Sequence, residues 1–430
     1  MARRGIAAAL LLAAWIAVGT GWATGTPEEK AGVVYLRMYY PVGVAGPLAQ
    51  LMDSMIADFN KSQPGVQVES IFAGGYKEAM DKAQTAFLSG SPPELAVLDA
   101  PNLFTLLDID AIVPLDQYIE KEGGAAYRAT FIEAFLKIGE YQGRLWSIPW
   151  QRSTPVLYYN KDFFRQAGLD PGKPPATWAE LESYAQKLAV KDAKGNTTRW
   201  GVMVPNDYWI FKPLLLQAGG TADSEDGTRI VVDDAYNRLV YDWLNHLAAI
   251  GVTPGIARWS QSVTDFASGA TAMLYNTTGA LTYIRNNTKF DFGAAFLPKR
   301  DRQVAIEGGG NFFIFKTTPR REAAAWEVVK WMTLPENTAR WSLGSGYIPV
   351  KKAAFDVPDY KKYTDQWPQA LIAYRQLTEI DIERNMMTHR MNEIYDLLNA
   401  TNEAIRTGAD MDGELAKAQA EANRILARWQ

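Results

Sequence analysis

Apolar positions along this chain fall into two rhythms that alternate with each other. Val33 to Tyr40 alternates and is rich in Val, Leu and Tyr, the mark of a half-buried strand. Leu48, Leu51, Met52, Met55, Ile56 and Phe59 then recur at helical spacing and predict one buried stripe, closed by Asn60 to Gly65 with Pro64. Val66 to Phe72 predicts a second strand, Ala73-Gly74-Gly75 a turn, Tyr76 to Leu88 a second helix, and Leu95 to Leu98 a short buried strand ending at Asp99. Strand and helix in alternation predict an α/β fold with a mainly parallel sheet covered by helices. Ligands of such sheets sit at the carboxyl ends of the strands, which makes Tyr76 and Asp99 candidates to line a cleft. Taken singly, Tyr76 is equally an ordinary turn residue and Asp99 a helix cap.

The pattern breaks at Trp150 to Asp162. Pro155 forbids a regular central strand at its own position, and strand character resumes at Val156 to Tyr159, as expected for a segment crossing between two lobes. Asp162 to Ala167 predicts a short helix closed by Gly168, and Thr177 with Glu180 forms a capping box for the next one. Trp200 to Val204 reads as a strand and Tyr208 to Gln217 as a helix. Tyr236 to Leu247 carries another helical stripe. A strand runs into the turn Thr277-Thr278-Gly279, where a helix start presents free N–H groups to an anion. Phe292 to Leu297 is a further strand. Gly308-Gly309-Gly310, before the apolar run Phe312 to Phe315, is either a flexible turn or a place where backbone approaches a ligand closely. Ala323 to Met332 and the stretch after Met386 are helical.

The 430 residues exceed one compact core and suit two lobes. A net charge of −4 gives a nucleic-acid backbone nothing to prefer. The chain has no cysteine, which removes thiol nucleophiles, thiolate metal sites and a lipid-anchored export signal. Its two histidines, His246 and His389, are too few for a His-rich metal centre. Neither cofactor nor metal is expected. Arg3 and Arg4, the uncharged run Ile6 to Val18 and the small residues of Gly21-Trp22-Ala23 predict a secretory signal at 1–23, cleaved after Ala23. A single membrane anchor is the competing reading, for which the apolar run is short. The 14 tryptophans and 20 tyrosines serve mostly packing, with a few free to face a ligand.

Three sets of positions stand out: Phe59…Pro64…Val66, Phe266…Gly269…Ala272-Met273, and Ala325-Trp326…Trp331…Pro335-Glu336-Asn337. In these the chain resembles the extracellular solute-binding proteins of ATP-driven importers, the group containing maltose-binding protein. The block Ser153-Thr154-Pro155-Val156-Leu157-Tyr158-Tyr159-Asn160-Lys161-Asp162 is most similar to the glycerol-3-phosphate-binding subfamily. So are Ala167 to Pro171, Thr177-Trp178, Gly346-Tyr347 with Pro349, and Asn385-Met386 with Arg390. The resemblance implies a monomeric two-lobe periplasmic-binding-protein fold (type II) with the ligand cleft between lobes, working with membrane permease subunits. It places the first lobe at 24–150 and 290–345 and the second at 151–289 and 346–430.

The subfamily's ligand positions fall on Tyr76, Asp99 (a glutamate in the family), Ser153, Thr277 (a serine in the family), Gly309, Tyr347 and Arg390. Arg390 is expected to offer a phosphate its bidentate fork. The hydroxyls of Tyr76, Tyr347, Ser153 and Thr277 with the Gly309 N–H would satisfy the other oxygens, and Asp99 would face glycerol hydroxyls. Two features depart from the family. Arg152 stands where relatives have a small polar residue, either as a second phosphate contact or, as expected here, at the surface. Trp209 lies in a loosely similar segment and is either stacked on a head group or buried in the lobe. The expected solute is glycerol-3-phosphate or a glycerophosphodiester such as glycerophosphocholine, with a sugar or oligosaccharide as the alternative. Catalysis is not expected: Asp99 is the one carboxylate with a cleft address, whereas glycoside cleavage needs two. A sensor that docks on a receptor has the same sequence signature.

Overall fold

The computed structural model describes residues 32–43 and 46–430. The expected export signal lies outside the described residues. Val34–Tyr40 pairs in parallel with Val66–Phe72 on one side and Leu95–Asp99 on the other. Gly310–Ile314 then adds antiparallel to Leu95–Asp99, and Ile148–Pro149 closes the far edge. The burial of Val34–Tyr40 alternates along its length, while Leu95–Leu98, in the central strand of the sheet, is buried throughout. The helices Leu48–Ser62 and Tyr76–Leu88 flank this sheet. Its core is anchored by Trp150, 1% exposed, whose ring lies 5.3 Å from Phe312 and 5.5 Å from Trp341.

The second lobe is built on a smaller antiparallel sheet in which Pro155–Asn160 lies between Met273–Thr277 and Phe292–Ala295. Pro155 opens the central strand, where a missing N–H costs least. Thr177 accepts from the Glu180 N–H at 3.2 Å and Glu180 accepts from the Ala176 N–H at 2.7 Å, so the capping box forms with its return bond one residue early. Trp200 to Val204, expected as a strand, makes only isolated bridges at Trp200 and Met203. An added Cβ on Gly201 would lie 2.1 Å from the Ala185 carbonyl oxygen, so this segment is pressed against a helix, and Pro205 ends it. The helices Tyr208–Gln217, Ala235–Ala249, Met391–Arg406 and Met411–Leu426 pack in the same core.

Two strand-like segments join the lobes side by side. Ser153 N–H donates to Gly308 O at 3.1 Å, Gly308 N–H to Ser153 O at 2.8 Å, and Gln151 N–H to Gly310 O at 2.9 Å. The expected boundaries differ from this arrangement: Phe292–Ala295 belongs to the second sheet, and Tyr347, Ile348 and Val350 pack in the first lobe's core. We propose that the second crossing lies at Ile306–Gly310 rather than near 290. Replacing Trp150 with Ala removes the indole at the root of the first crossing and is expected to cost about 3–5 kcal/mol, read as a lower urea midpoint for the ligand-free protein.

Candidate functional site

Where the lobes face each other at the strand ends, they enclose a cavity of about 190 Å³. Tyr76 reaches it from the start of its helix, after a turn in which Gly74 has φ +98°. Asp99 enters from the carboxyl end of Leu95–Asp99, Ser153 and Gly309 from the paired crossings, and Thr277 from the end of Met273–Thr277. Tyr347 follows Gly346, at φ +112°, and stacks on Trp341 with centroids 6.3 Å apart. Six of the expected residues therefore meet on one cavity. Tyr76 Oη donates to Gln151 Oε1 at 2.7 Å and lies 3.4 Å from Tyr347 Oη, which fixes both phenols at one end. Thr277 Oγ1 already accepts the Gly279 N–H at 3.1 Å, leaving its proton to donate. Gly309 has φ +102°, and a Cβ there would lie 1.9 Å from Gln151 O; no other residue fits.

The expected cationic fork is not in the cavity. Arg390 is about half exposed, with 48% of its side chain accessible, and is ion-paired with Glu393 one turn along its own helix. Its neighbours Met391 and Asn392 line the cavity instead. Arg152, expected at the surface, is fully buried. It donates to Asn311 Oδ1 and lies 3.7 Å from Glu307. The alternation of the crossing explains this: Ser153 faces the cavity, so Arg152 faces the opposite side, where Glu307 and Asn311 supply partners.

The structure adds a wall that sequence reasoning missed. Asp207 caps Tyr208–Gln217 by accepting the Trp209 N–H at 2.8 Å and also accepts the Tyr395 hydroxyl. Trp209 is 9% exposed and lies edge-on to Trp259, centroids 5.9 Å apart. Trp209 Nε1 donates to Glu307 O at 3.1 Å, and Trp259 Nε1 crosses to Gly43 O of the first lobe at 3.3 Å. Aspartate before a helical apolar run is a capping signal that could have placed Asp207 at a helix start; nothing local marks Trp259. Trp209 is thus buried in the lobe, one of the two readings offered above, and also lines the cavity. Among the described residues no group of three or more His, Asp or Glu is arranged to hold a metal, and no helix is long and apolar enough to cross a membrane.

Burial raises Asp99 to about 7; the Arg152 guanidinium opposes the rise and Asp207 adds to it. Burial also raises Asp207, against the hydrogen bonds from Tyr395 and Trp209. The cavity thus offers tyrosine, serine and threonine hydroxyls, asparagine amides, two desolvated carboxyls, two indoles and one ammonium, that of Lys77, which is paired with Asp81 and Asp396.

The family model for bacterial extracellular solute-binding proteins matches residues 54–367. The sn-glycerol-3-phosphate-binding periplasmic protein UgpB of Salmonella typhimurium is 28% identical over 90% of this chain and 91% of its own length. Among solved structures, UgpB from Mycobacterium tuberculosis in complex with glycerophosphocholine is 25% identical, with a TM-score of 0.80 over 93% of this chain and all of that one. The maltose/maltodextrin-binding domain MalE from Bdellovibrio bacteriovorus, 19% identical, has a TM-score of 0.79 over 92% of this chain and all of that one, a likeness of fold. The fold is the type II periplasmic-binding-protein arrangement.

Because the folded value of Asp99 stands above its ordinary one, the folded protein binds the extra proton between those values, and stability falls as pH rises through about 7. Asp99→Asn is therefore expected to raise the ligand-free melting temperature more at pH 8 than at pH 5, as read by calorimetry at both.

Proposed function

The chain belongs to the bacterial extracellular solute-binding proteins, the solute-capturing components of ATP-driven importers, and we propose that its solute is a glycerophosphodiester with a cationic head group, such as glycerophosphocholine. The observation that carries this reading is the pairing of the Trp209–Trp259 corner with Asp207 in the same cavity as Tyr76, Ser153, Thr277, Gly309 and Tyr347. Indole faces and a nearby carboxylate attract a quaternary ammonium, worth about 2 kcal/mol when desolvated. The hydroxyls and the Gly309 N–H suit phosphate oxygens, and Asp99 suits glycerol hydroxyls. A phosphate monoester, carrying nearly two negative charges and no cation, meets two carboxyls in this cavity and no arginine, and the lysine on its lining, Lys77, is already paired with Asp81 and Asp396, so it fits less well. The 28%-identical relatives are glycerol-3-phosphate-binding proteins, and the 25%-identical structure holds glycerophosphocholine.

Arg390 does not contribute its fork in this arrangement. Release from Glu393 would be needed to bring it toward the phosphate.

A sugar is the second reading, because aromatic walls with carboxyl and amide acceptors, Asn102 and Asn385 among them, also suit hydroxyl-rich rings. The cavity volume of about 190 Å³ lies below the roughly 300–1,000 Å³ typical of ligand sites and argues against a chain of several rings. On either reading the protein is exported, its leader removed after Ala23, and it hands its cargo to permease subunits as a monomer.

Titration calorimetry at pH 7.5 with glycerophosphocholine, glycerol-3-phosphate and maltose separates these readings. The diester is expected to bind tightest, and Trp209→Ala to weaken it by about 30-fold while changing glycerol-3-phosphate little. Tight maltose binding with no response to either phosphoester rejects the proposal.

A further inference from the structure

Away from the cavity the two lobes meet at a second, compact cluster. Phe104 and Asp108 belong to the first-lobe helix Leu103–Asp108, and Phe104 packs in a core cluster of that lobe. His389 comes from the opposite side, just before the second-lobe helix Met391–Arg406. Its Nδ1 lies 2.9 Å from each carboxylate oxygen of Asp108. One face of the imidazole stacks on Phe104, with centroids 5.0 Å apart and planes at 20°. The ring also stacks with Trp429, at 4.8 Å and 16°. Trp429 packs on the second-lobe core, and its Nε1 donates to Asp108 Oδ1 at 3.1 Å. A single first-lobe carboxylate thus holds a histidine and an indole from the second lobe. The Asp108 and His389 side chains are only 16% and 12% accessible.

The second lobe is shaped to admit Phe104. Gly227 has φ +70°, and a Cβ there would lie 2.7 Å from the Phe104 ring. Its carbonyl accepts from Thr388 Oγ1 at 2.7 Å, which ties this turn to the residue beside His389.

None of Phe104, Asp108, Gly227, His389 or Trp429 lines the cavity, but Asn385, Met391, Asn392 and Tyr395 of the adjoining segment do. That segment meets the first lobe again where Met391 N–H donates to Thr105 Oγ1 at 3.2 Å and Asn392 Nδ2 to Asp81 Oδ1 at 2.9 Å. We infer that Asp108, His389 and Trp429 form an interlobe latch that positions the 385–395 wall over the bound solute and sets how long the solute is retained. The cluster can exist only when the lobes are together. Apart, the carboxylate and the two N–H groups are each hydrated, so the latch stabilises the closed state and not the fold of either lobe. Its effect belongs in the dissociation rate.

This inference rests on the solute-capture reading, and the test separates the two. The chain has no cysteine, so the exposed positions Leu88 and Lys187, one in each lobe, accept spin labels as Leu88→Cys and Lys187→Cys without background. Their distance distribution is measured in the labelled parent and in His389→Ala and Asp108→Asn, with and without glycerophosphocholine. Both variants are expected to shift population to longer distances. Stopped-flow mixing should show release of glycerophosphocholine about tenfold faster with association within about twofold of the parent. The melting temperature of the ligand-free protein should fall by no more than about 1 °C, because the open form remains available to it. Distributions that superimpose under both conditions overturn the latch, as does a ligand-free melting temperature lowered by several degrees, which marks ordinary packing. Distributions that differ without ligand, in a protein indifferent to glycerophosphocholine, keep the latch and reject the proposed solute.

Discussion

Everything at the centre of this protein depends on two crossing segments lying against each other where almost no side chain fits. At Gly308 a Cβ would lie 2.5 Å from the Trp209 indole, at Gly309 1.9 Å from Gln151 O, and at Gly310 2.9 Å from Val97. The absence of those side chains lets the backbone run between a wall of the second lobe and the sheet of the first. The same contact ties a wall of the cavity to the crossing. Trp209 stands in the cavity, touches Gly308 and donates to Glu307 O, so a solute that presses on the indole presses on the crossing itself.

Charge is arranged in layers around this ribbon. On the cavity side are Asp99 and Asp207, both raised by burial. On the other side are Arg152 and Glu307, a buried pair 3.7 Å apart. A guanidinium with no access to solvent would be very costly alone, and its own value is lowered by burial and held up by Glu307, Tyr76 and Asp99. Arg152 thus opposes the burial that would keep Asp99 neutral, without lining the cavity. The cavity's two carboxyls have Arg152 behind them, while Lys77 on the lining is paired with Asp81 and Asp396.

Much of the fold was legible because it is periodic. The strands at Val34–Tyr40, Val66–Phe72 and Leu95–Asp99 and the helices at Tyr76–Leu88 and Tyr208–Gln217 follow from spacing and punctuation. Gly309 was legible as either a flexible turn or a place of close approach, and the approach is that of the Gln151 carbonyl. Arg390 and Arg152 were not: which face of a crossing segment a residue occupies depends on its partner strand, and the pairing with Gly308 is a contact across 155 residues. Matching a family position fixes where a Cα lies, not whether a long side chain turns inward or pairs with Glu393 along its own helix. Asp207 and Trp259 were missed for the related reason that cavity walls come from segments far apart in sequence. The strand Phe292–Ala295, expected with the first lobe, lies beside Pro155–Asn160, because a strand's allegiance is decided by its neighbour.

Glu307 also looks onto a second space between the lobes, of about 1,040 Å³, bordered by Phe104 and Tyr141 on one side and by Asp223, Glu383 and Arg384 on the other. Through Phe104, the ring on which His389 stacks, one wall of this rear space is also a face of the interlobe cluster.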